Sequence, residues 1–438
     1  MARFLIVLGI FGLLRGCIAD RYDNHTLLRL YPQNEAQMTS ILKFNDPEGV
    51  EVLKRSRGVN DSMDVLVPPD KLHLLKDFAL THLLRLEVKE RNYGRKFVDL
   101  ERTPRRRTMN SNPAFNYHSH ATIQDIILGL AKQYPKEIRI QEVGSSYQGR
   151  KMRLVKISSN HEAGNPIIFI DAGIHAREWV APAMAIYLIH RFVTDPSARS
   201  ELNGVDWYIL PCANPDGYEY TRASSANRMW RKTMSAMEGG CFGVDGNRNY
   251  GFKWGVSGVS HNPCDKETYA GPRPFSEPET IIVKRIMLEY RDRIKLYLSL
   301  HSYGQYLVYP WGYTRDRLPK RWRKLDRLAK IVSKAVADAG GLPFKVLSAG
   351  KWYEAAGGSD DFAFGGMGIP YSYTMELTDG YEFIYPEEEL KKTLPTLYDG
   401  FRAFATEIRR EYGKGPLRAK RDSESDEADK EENDKSEH

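Results

Sequence analysis

The chain has 438 residues, 41% of them apolar, and a formal net charge of +7. That length permits two domains with a sizeable core. The basic residues read as scattered rather than striped, which argues against nucleic-acid binding, and no apolar run is long enough to cross a bilayer. Met1 to Ala19 reads as a signal peptide: Arg3, an apolar run from Phe4 to Leu14, then small residues around Ala19. A secreted, extracellular protein is therefore expected. Residues 20–107 form a separate unit. Leu27 to Tyr31 predicts a strand and Glu35 to Phe44 a helix. Val50 to Lys54 and Met63 to Val67 predict two more strands. Asp70 is placed to cap a helix through Leu80, and Leu84, Leu86 and Val88 alternate with charges in a last strand. The order β-α-β-β-α-β is the split, ferredoxin-like α+β motif. Asn24-His25-Thr26 and Asn60-Asp61-Ser62 are glycosylation sequons. Pro104-Arg105-Arg106-Arg107 joins this unit to the next. Exposed linkers are where nicking concentrates, so a trypsin-like protease is expected to cut here and leave a mature chain starting near Thr108.

In residues 108–412, strands such as Ile167 to Ile170 alternate with helices such as Ala181 to Val193, predicting an α/β domain with a central sheet flanked by helices. The apolar run Pro166 to Ile170 leads into His175-Ala176-Arg177-Glu178-Trp179. A turn between a strand and a helix can aim His175 and Glu178 at one point, which supplies two of the three protein ligands of a catalytic Zn²⁺. Ile294 to Leu300 alternates as a half-buried strand and ends at His301, the candidate third ligand. Sites in open α/β sheets form outside the carboxyl ends of strands, so the three agree with one another. One Zn²⁺ per chain is expected. Removal of the signal peptide takes Cys17 and leaves Cys212, Cys241 and Cys264, an odd count. Cys212 ends the apolar strand Trp207 to Leu210 and reads as a buried free thiol.

Seven segments in order, HARE, NPDG, MWRK, GVDGNRN, HSYGQ, YEAAGGSDD and TMEL, make the chain resemble the zinc metallocarboxypeptidases of the pancreatic A/B type, made as secreted proenzymes. The resemblance runs from the signal peptide to about residue 412. It implies a mixed central sheet of the carboxypeptidase fold, an amino-terminal activation domain that covers the cleft, and a disulfide between Cys241 and Cys264. It also implies peptide or protein C-termini as substrate. Glu376, ending the strand Tyr371 to Leu377, matches the catalytic glutamate that moves the proton. Arg231 matches the residue that stabilises the oxyanion, while Arg228 and Lys232 beside it look like ordinary surface charge. Arg248 supplies a planar fork for the terminal carboxylate, with Asn247 as a second donor. Tyr353 matches the tyrosine that closes over substrate. Asp245 is expected to accept a hydrogen bond from a zinc-ligating histidine, and Arg177 to contact substrate upstream of the scissile bond.

Specificity is read at Asp360, in Gly357-Gly358-Ser359-Asp360-Asp361. Basic-specific members resemble this chain in carrying aspartate there, whereas hydrophobic-specific members carry isoleucine. An enclosed carboxylate favours a Lys or Arg terminus, and Ser348, Ala355 and Gly312 leave room for a long side chain. Trp352, where an aliphatic residue is more usual, and the glycine-rich 365–368 depart from the basic-specific pattern. Two alternatives stand beside release of Lys or Arg: the same chemistry with hydrophobic or broad specificity, and an inactive zinc-containing peptide-binding protein. Residues 413–438 are an acidic tail expected to be disordered. Arg418-Ala419-Lys420-Arg421 within it has the spacing that furin-like convertases favour.

Overall fold

The computed structural model describes residues 22–44, 49–54, 61–96, 113–380 and 382–413. The expected signal peptide, Asn60, the Arg105–Arg107 junction and the tail from residue 414 lie outside the described residues. The chain divides into two compact units. The first comprises Met1–Arg55 and Val59–Arg105, the second Ser56–Gly58 and Arg106–His438.

In the first unit, β1 (Thr26–Tyr31) pairs antiparallel with both β3 (Met63–Val67) and β4 (Arg85–Glu90). With β2 (Glu51–Lys54) on the outer side of β3, the strand order is β2-β3-β1-β4. Helices α1 (Glu35–Leu42) and α2 (Leu72–Thr81) interleave with these strands in the expected β-α-β-β-α-β order. Asn34 starts α1, its side chain accepting from the Gln37 amide. Asp70 does not cap α2. A turn in which the Lys71 amide donates to the Pro68 carbonyl intervenes, and the helix starts after Lys71 without a side-chain cap. Leu28, Leu30, Val65, Val67 and Leu75 form the core of this unit.

The second unit is an eight-stranded mixed sheet in the order β11-β10-β12-β9-β7-β8-β6-β5. Its strands are β5 (Ile138–Ser145), β6 (Lys151–Ile157), β7 (Ile167–Ala172), β8 (Asp206–Leu210), β9 (Ile294–His301), β10 (Tyr306–Tyr309), β11 (Lys345–Ser348) and β12 (Tyr371–Glu376). The centre, β12-β9-β7-β8, is parallel, and antiparallel pairs flank it at β10–β12, β6–β8 and β5–β6. Helices cover both faces: α3 (His120–Gln133), α4 (Val180–Thr194), α5 (Pro215–Ala223), α6 (Pro278–Glu289), α7 (Trp322–Asp338) and α8 (Leu390–Tyr412). Ile127, Phe192, Leu328 and Phe404, from four of these helices, pack with Ile168, Leu298 and Tyr373 on one face. Ile282, Ile286 and Met287 of α6 pack with Phe169 and Tyr297 on the other.

This double covering corrects the reading of β9 as half-buried. Every residue of β9 but Lys295 is buried, as expected of a central parallel strand with helices on both sides. The polar positions of its alternation, Ser299 and His301, face the interior beneath the site. Arg228 and Lys232 are also not surface charge. Arg228 donates to the carbonyls of Arg177 and Phe383, and Lys232 donates to that of Pro263. Both are buried. Within 365–368, Gly365 and Gly366 answer to ring packing, a Cβ on Gly365 lying 2.4 Å from the Phe252 ring, and Gly368 to its φ of +71°.

Glu279 on α6 is fully buried. Its Oε1 accepts from the Tyr147 amide, and its Oε2 has no partner among the described residues. Burial, with the nearby charges of Glu277 and Asp216, lifts its carboxyl to about 8. The folded chain thus holds this proton more tightly than the unfolded chain, so stability falls as pH rises from the ordinary carboxylate range to about 8. Glu279→Gln should raise the melting temperature at pH 9 and leave it nearly unchanged near pH 4, as thermal unfolding at the two pH values would reveal.

Candidate active site

The site forms at the carboxyl edge of the central sheet, where chemistry in open α/β sheets gathers. Parallel register brings Glu376, the last residue of β12, directly beside His301, the last residue of β9. On the other side of β9, Ala172 at the end of β7 pairs with Leu300. The chain turns there at Gly173, which has φ +71°, and carries His175 and Glu178 back over the strand ends before α4 begins.

His175, Glu178 and His301 converge, with one donor atom from each within 4.8 Å of the others. His175 Nδ1 lies 2.8 Å from Glu178 Oε1. His301 Nδ1 lies 3.0 Å from Glu178 Oε2 and 3.0 Å from His175 Nδ1. Burial pushes His175 below the usual imidazole range, aided by the Arg231 charge. Burial pulls His301 the same way, but the Glu178 carboxylate outweighs it and holds that ring above the range. Two imidazole nitrogens and a carboxylate facing one another, all buried, suit a small dication far better than they suit each other. The remaining ring nitrogens are committed elsewhere, which orients each ring. His175 Nε2 donates to Asp245 Oδ1 at 3.1 Å, and His301 Nε2 lies 3.0 Å from Ser299 Oγ.

Behind Ser299 is a relay that sequence reading missed. Ser299 donates to Asp171 Oδ1, and Tyr297 donates to the other oxygen of the same carboxylate. The signal was present: Asp171 is a lone charge closing the apolar strand β7, and Ser299 shares a strand face with His301.

Asp245 is fully buried and serves several groups at once. Besides His175, it accepts from Arg231 Nε and Nη2 at 3.1 and 2.9 Å and from the Asn247 amide at 3.0 Å. Arg248 Nη1 is 3.9 Å away. Burial works against its charge, but Arg231 and Arg248 hold its carboxyl well below the usual range. Arg231 Nη1 remains directed at the metal ligands, 3.9 Å from Glu178 Oε1. The Tyr353 ring centre lies 5.8 Å from the Arg248 guanidinium, so this tyrosine joins the same cluster. Asn247 Oδ1 accepts from the Ser359 amide and links the cluster to the Asp360 segment. Gly357 makes that link close: it has φ +74°, and a Cβ there would lie 2.3 Å from the Arg248 carbonyl oxygen.

Glu376 is buried, with no hydrogen bond or ion pair to its carboxylate among the described residues. Burial, reinforced by the Glu178 charge, raises it to about 8. Asp361 accepts from the amides of Gly312 and Tyr313, whereas Asp360 accepts the Asp361 amide. Trp352 stacks on Tyr306, with ring centres 4.8 Å apart, and its indole nitrogen has no hydrogen-bond partner among the described residues. Arg177 is not drawn into the ligand cluster. It forms a bidentate pair with Glu267 at 2.8 and 2.6 Å and lies over the Phe383 ring. Cys241 and Cys264 are joined as a disulfide, and Cys212 is free and buried.

An open α/β sheet with a three-ligand, single-metal site at its carboxyl edge, and an unengaged glutamate beside it, defines a metal-dependent hydrolase. Residues 123–399 match the family model for zinc carboxypeptidase, and residues 28–96 match that for carboxypeptidase activation peptide. A carboxypeptidase B of Astacus astacus is 42% identical over 303 residues, covering 68% of this chain and 98% of the relative. A zinc carboxypeptidase A 1 of Anopheles gambiae is 34% identical over 384 residues, covering 85% and 87%. Among solved structures, the carboxypeptidase A from Helicoverpa armigera superposes with a TM-score of 0.80 at 27% identity, covering 88% of this chain and 98% of that one. Thrombin activatable fibrinolysis inhibitor gives 0.79 at 27% identity, covering 88% and 99%. The chain belongs to the zinc carboxypeptidase family and carries its activation peptide. Two histidines and a glutamate are the ligand set already associated with a zinc carboxypeptidase, and His175, Glu178 and His301 fit it.

Loss of the hydrogen bond that orients His175 should weaken the metal site without removing a ligand. Asp245→Asn is expected to lower zinc affinity by about 10–100-fold, measured by competition with a chromogenic chelator.

Proposed function

We propose that the protein is a secreted proenzyme which, once cut near Thr108, releases Lys or Arg from the C-termini of peptides and proteins. The observation that carries the specificity is Asp360. Its carboxylate is buried, no cation pairs with it among the described residues, and burial raises its proton affinity. A buried carboxylate of this kind is stabilised by a substrate that brings its own cation. A phenylalanine would leave it unpaired, and sites built around a polar partner discriminate strongly on that ground. The identity to the Astacus carboxypeptidase B supports the same reading.

A zinc ion held by His175, Glu178 and His301 supplies Lewis acidity toward a carbonyl oxygen and a water. The chain's own residues do the rest. Arg248 takes the terminal carboxylate in a bidentate fork, with the Asn247 amide group as a second donor. That recognition requires a chain end and excludes internal bonds. Tyr353 closes over the bound residue and shields it from water. Glu376 takes a proton from the attacking water and delivers it to the leaving amine. Arg231 Nη1 offsets the negative charge that develops on the carbonyl oxygen. Arg177, held by Glu267, lines the approach upstream of the scissile bond. The activation peptide keeps the enzyme latent until a trypsin-like protease cuts the basic junction.

Matched dipeptides ending in Arg or Phe, assayed after limited trypsin treatment, test the reading. Release of Arg should exceed release of Phe by about 10²–10⁴-fold in kcat/KM, and a chelator should abolish both. Asp360→Ile should reverse the order, and a wild-type preference for Phe would sink the specificity reading. Glu376→Gln should lower kcat by about 10²–10⁴-fold with little change in KM, while Arg248→Lys should act chiefly on KM.

A further inference from the structure

Although the chain's cations look scattered as a whole, one stretch concentrates them. Residues 315–334 contain nine Lys or Arg against two Asp, a net charge of +7. All nine cations are exposed. The reason is the amphipathic pattern of α7. Leu325, Leu328, Ala329, Val332 and Val336 turn inward, so Arg321, Arg323, Lys324, Arg327, Lys330 and Lys334 are left on the outer face. Three of these have acidic neighbours: Lys324 with Glu411, Lys330 with Asp326 and Lys334 with Asp338. Lys320, Arg321 and Arg327 form no ion pair with a carboxylate among the described residues. The active-site residues come from other segments and make no use of this face.

The chain also contains the complementary charge. Residues 422–438 hold nine Asp or Glu against two Lys, a net charge of −7, with Ala428 the only apolar side chain. They follow α8, which ends at Tyr412, and Glu411 in its last turn already pairs with Lys324 at 2.7 Å. The last described turn of the chain therefore lies beside the basic face. Eight residues separate Gly413 from Asp422 and reach at most about 28 Å when extended. The length of α7, 17 residues, is about 25 Å. Short tethering gives the stretch an effective concentration on the order of millimolar at that face.

We propose that the exposed basic face of α7 is a docking surface for this chain's own acidic segment, residues 422–438. The attraction is between exposed charges, so it depends on number and proximity rather than on any single pair, and salt screens it. Residues 414–421 carry four cations of their own, which makes variants on α7 the discriminating test.

Zero-length carbodiimide cross-linking of the full-length protein at low ionic strength, followed by peptide mass spectrometry, would test it. Cross-links from the carboxylates of 422–438 should fall on Lys320, Lys324, Lys330 and Lys334, within a single chain in a mixed-isotope sample. They should drop several-fold in about 0.5 M salt, where the screening length is down to about 4 Å. They should also drop several-fold in the triple variant Arg321→Glu, Arg323→Glu, Arg327→Glu, with peptidase activity unchanged. Cross-links spread evenly to exposed lysines such as Lys132, Lys136, Lys253 and Lys351 would overturn the proposal. So would links confined to a second chain, or an acidic segment that gives none while the basic face retains the protein on a sulfated polysaccharide.

Discussion

The fully buried carboxylate of Asp245 is the charge on which the rest of the site depends. Taking a carboxylate out of water costs several kcal/mol unless partners replace the lost hydration. Here the partners are His175, Arg231 and the Asn247 amide, with Arg248 just beyond. Each also has a position to keep in the site. His175 is turned so that Nδ1 faces Glu178 and His301, Arg231 is aimed across the same opening, and the loop bearing Arg248 is pinned at its start. One burial constraint therefore sets the relative geometry of His175, Arg231 and Arg248. A second carboxylate, Asp171, does the same for His301 through Ser299.

The sheet supplies the other constraint. In a parallel sheet covered on both faces, side chains at strand ends are the ones that can leave the apolar core. The register that sets Glu376 beside His301, and the end of β7 beside Leu300, brings a buried carboxylate, a metal ligand and the ligand-bearing turn together at one edge. Along the strands behind them, Leu298, Tyr373 and Ile168 are fully buried. A slip of one residue in either pairing would send the functional side chain to the opposite face of the sheet. The rigidity of the core thus serves as the positional control of the chemistry. Arg177 illustrates the opposite arrangement, since its guanidinium is already matched bidentately by Glu267.

How much could be read from the chain follows from how local each feature is. His175 and Glu178 are three residues apart on one turn, and His301 closes a strand whose polarity alternates, so spacing and periodicity nominate them; Glu376 also closes such a strand, but its role came from resemblance to a family. Arg231, Arg248 and Tyr353 lack such a local signature and came from resemblance to a family. Burial of Arg228 and Lys232 went unread because their partners are carbonyls of distant segments. The pairing of Arg177 with Glu267 spans 90 residues, and nothing in either neighbourhood announces it. Asp70 failed as a cap because a turn from Pro68 moved the helix start by one residue.

The sequence by itself determined the two-unit organisation of elements, the alternation that makes an α/β sheet, and the residues able to bind a metal. These are properties of spacing and side-chain chemistry, which need no knowledge of distant partners. Tertiary structure alone decided which ring nitrogen faces the ligand cluster, which carboxylate or carbonyl answers each buried cation, and that Asp361 accepts the Gly312 and Tyr313 amides while Asp360 accepts that of its neighbour Asp361. Most of these depend on pairs brought together across tens to hundreds of residues, where burial removes water and leaves each charge to be met by whichever group the fold has set beside it.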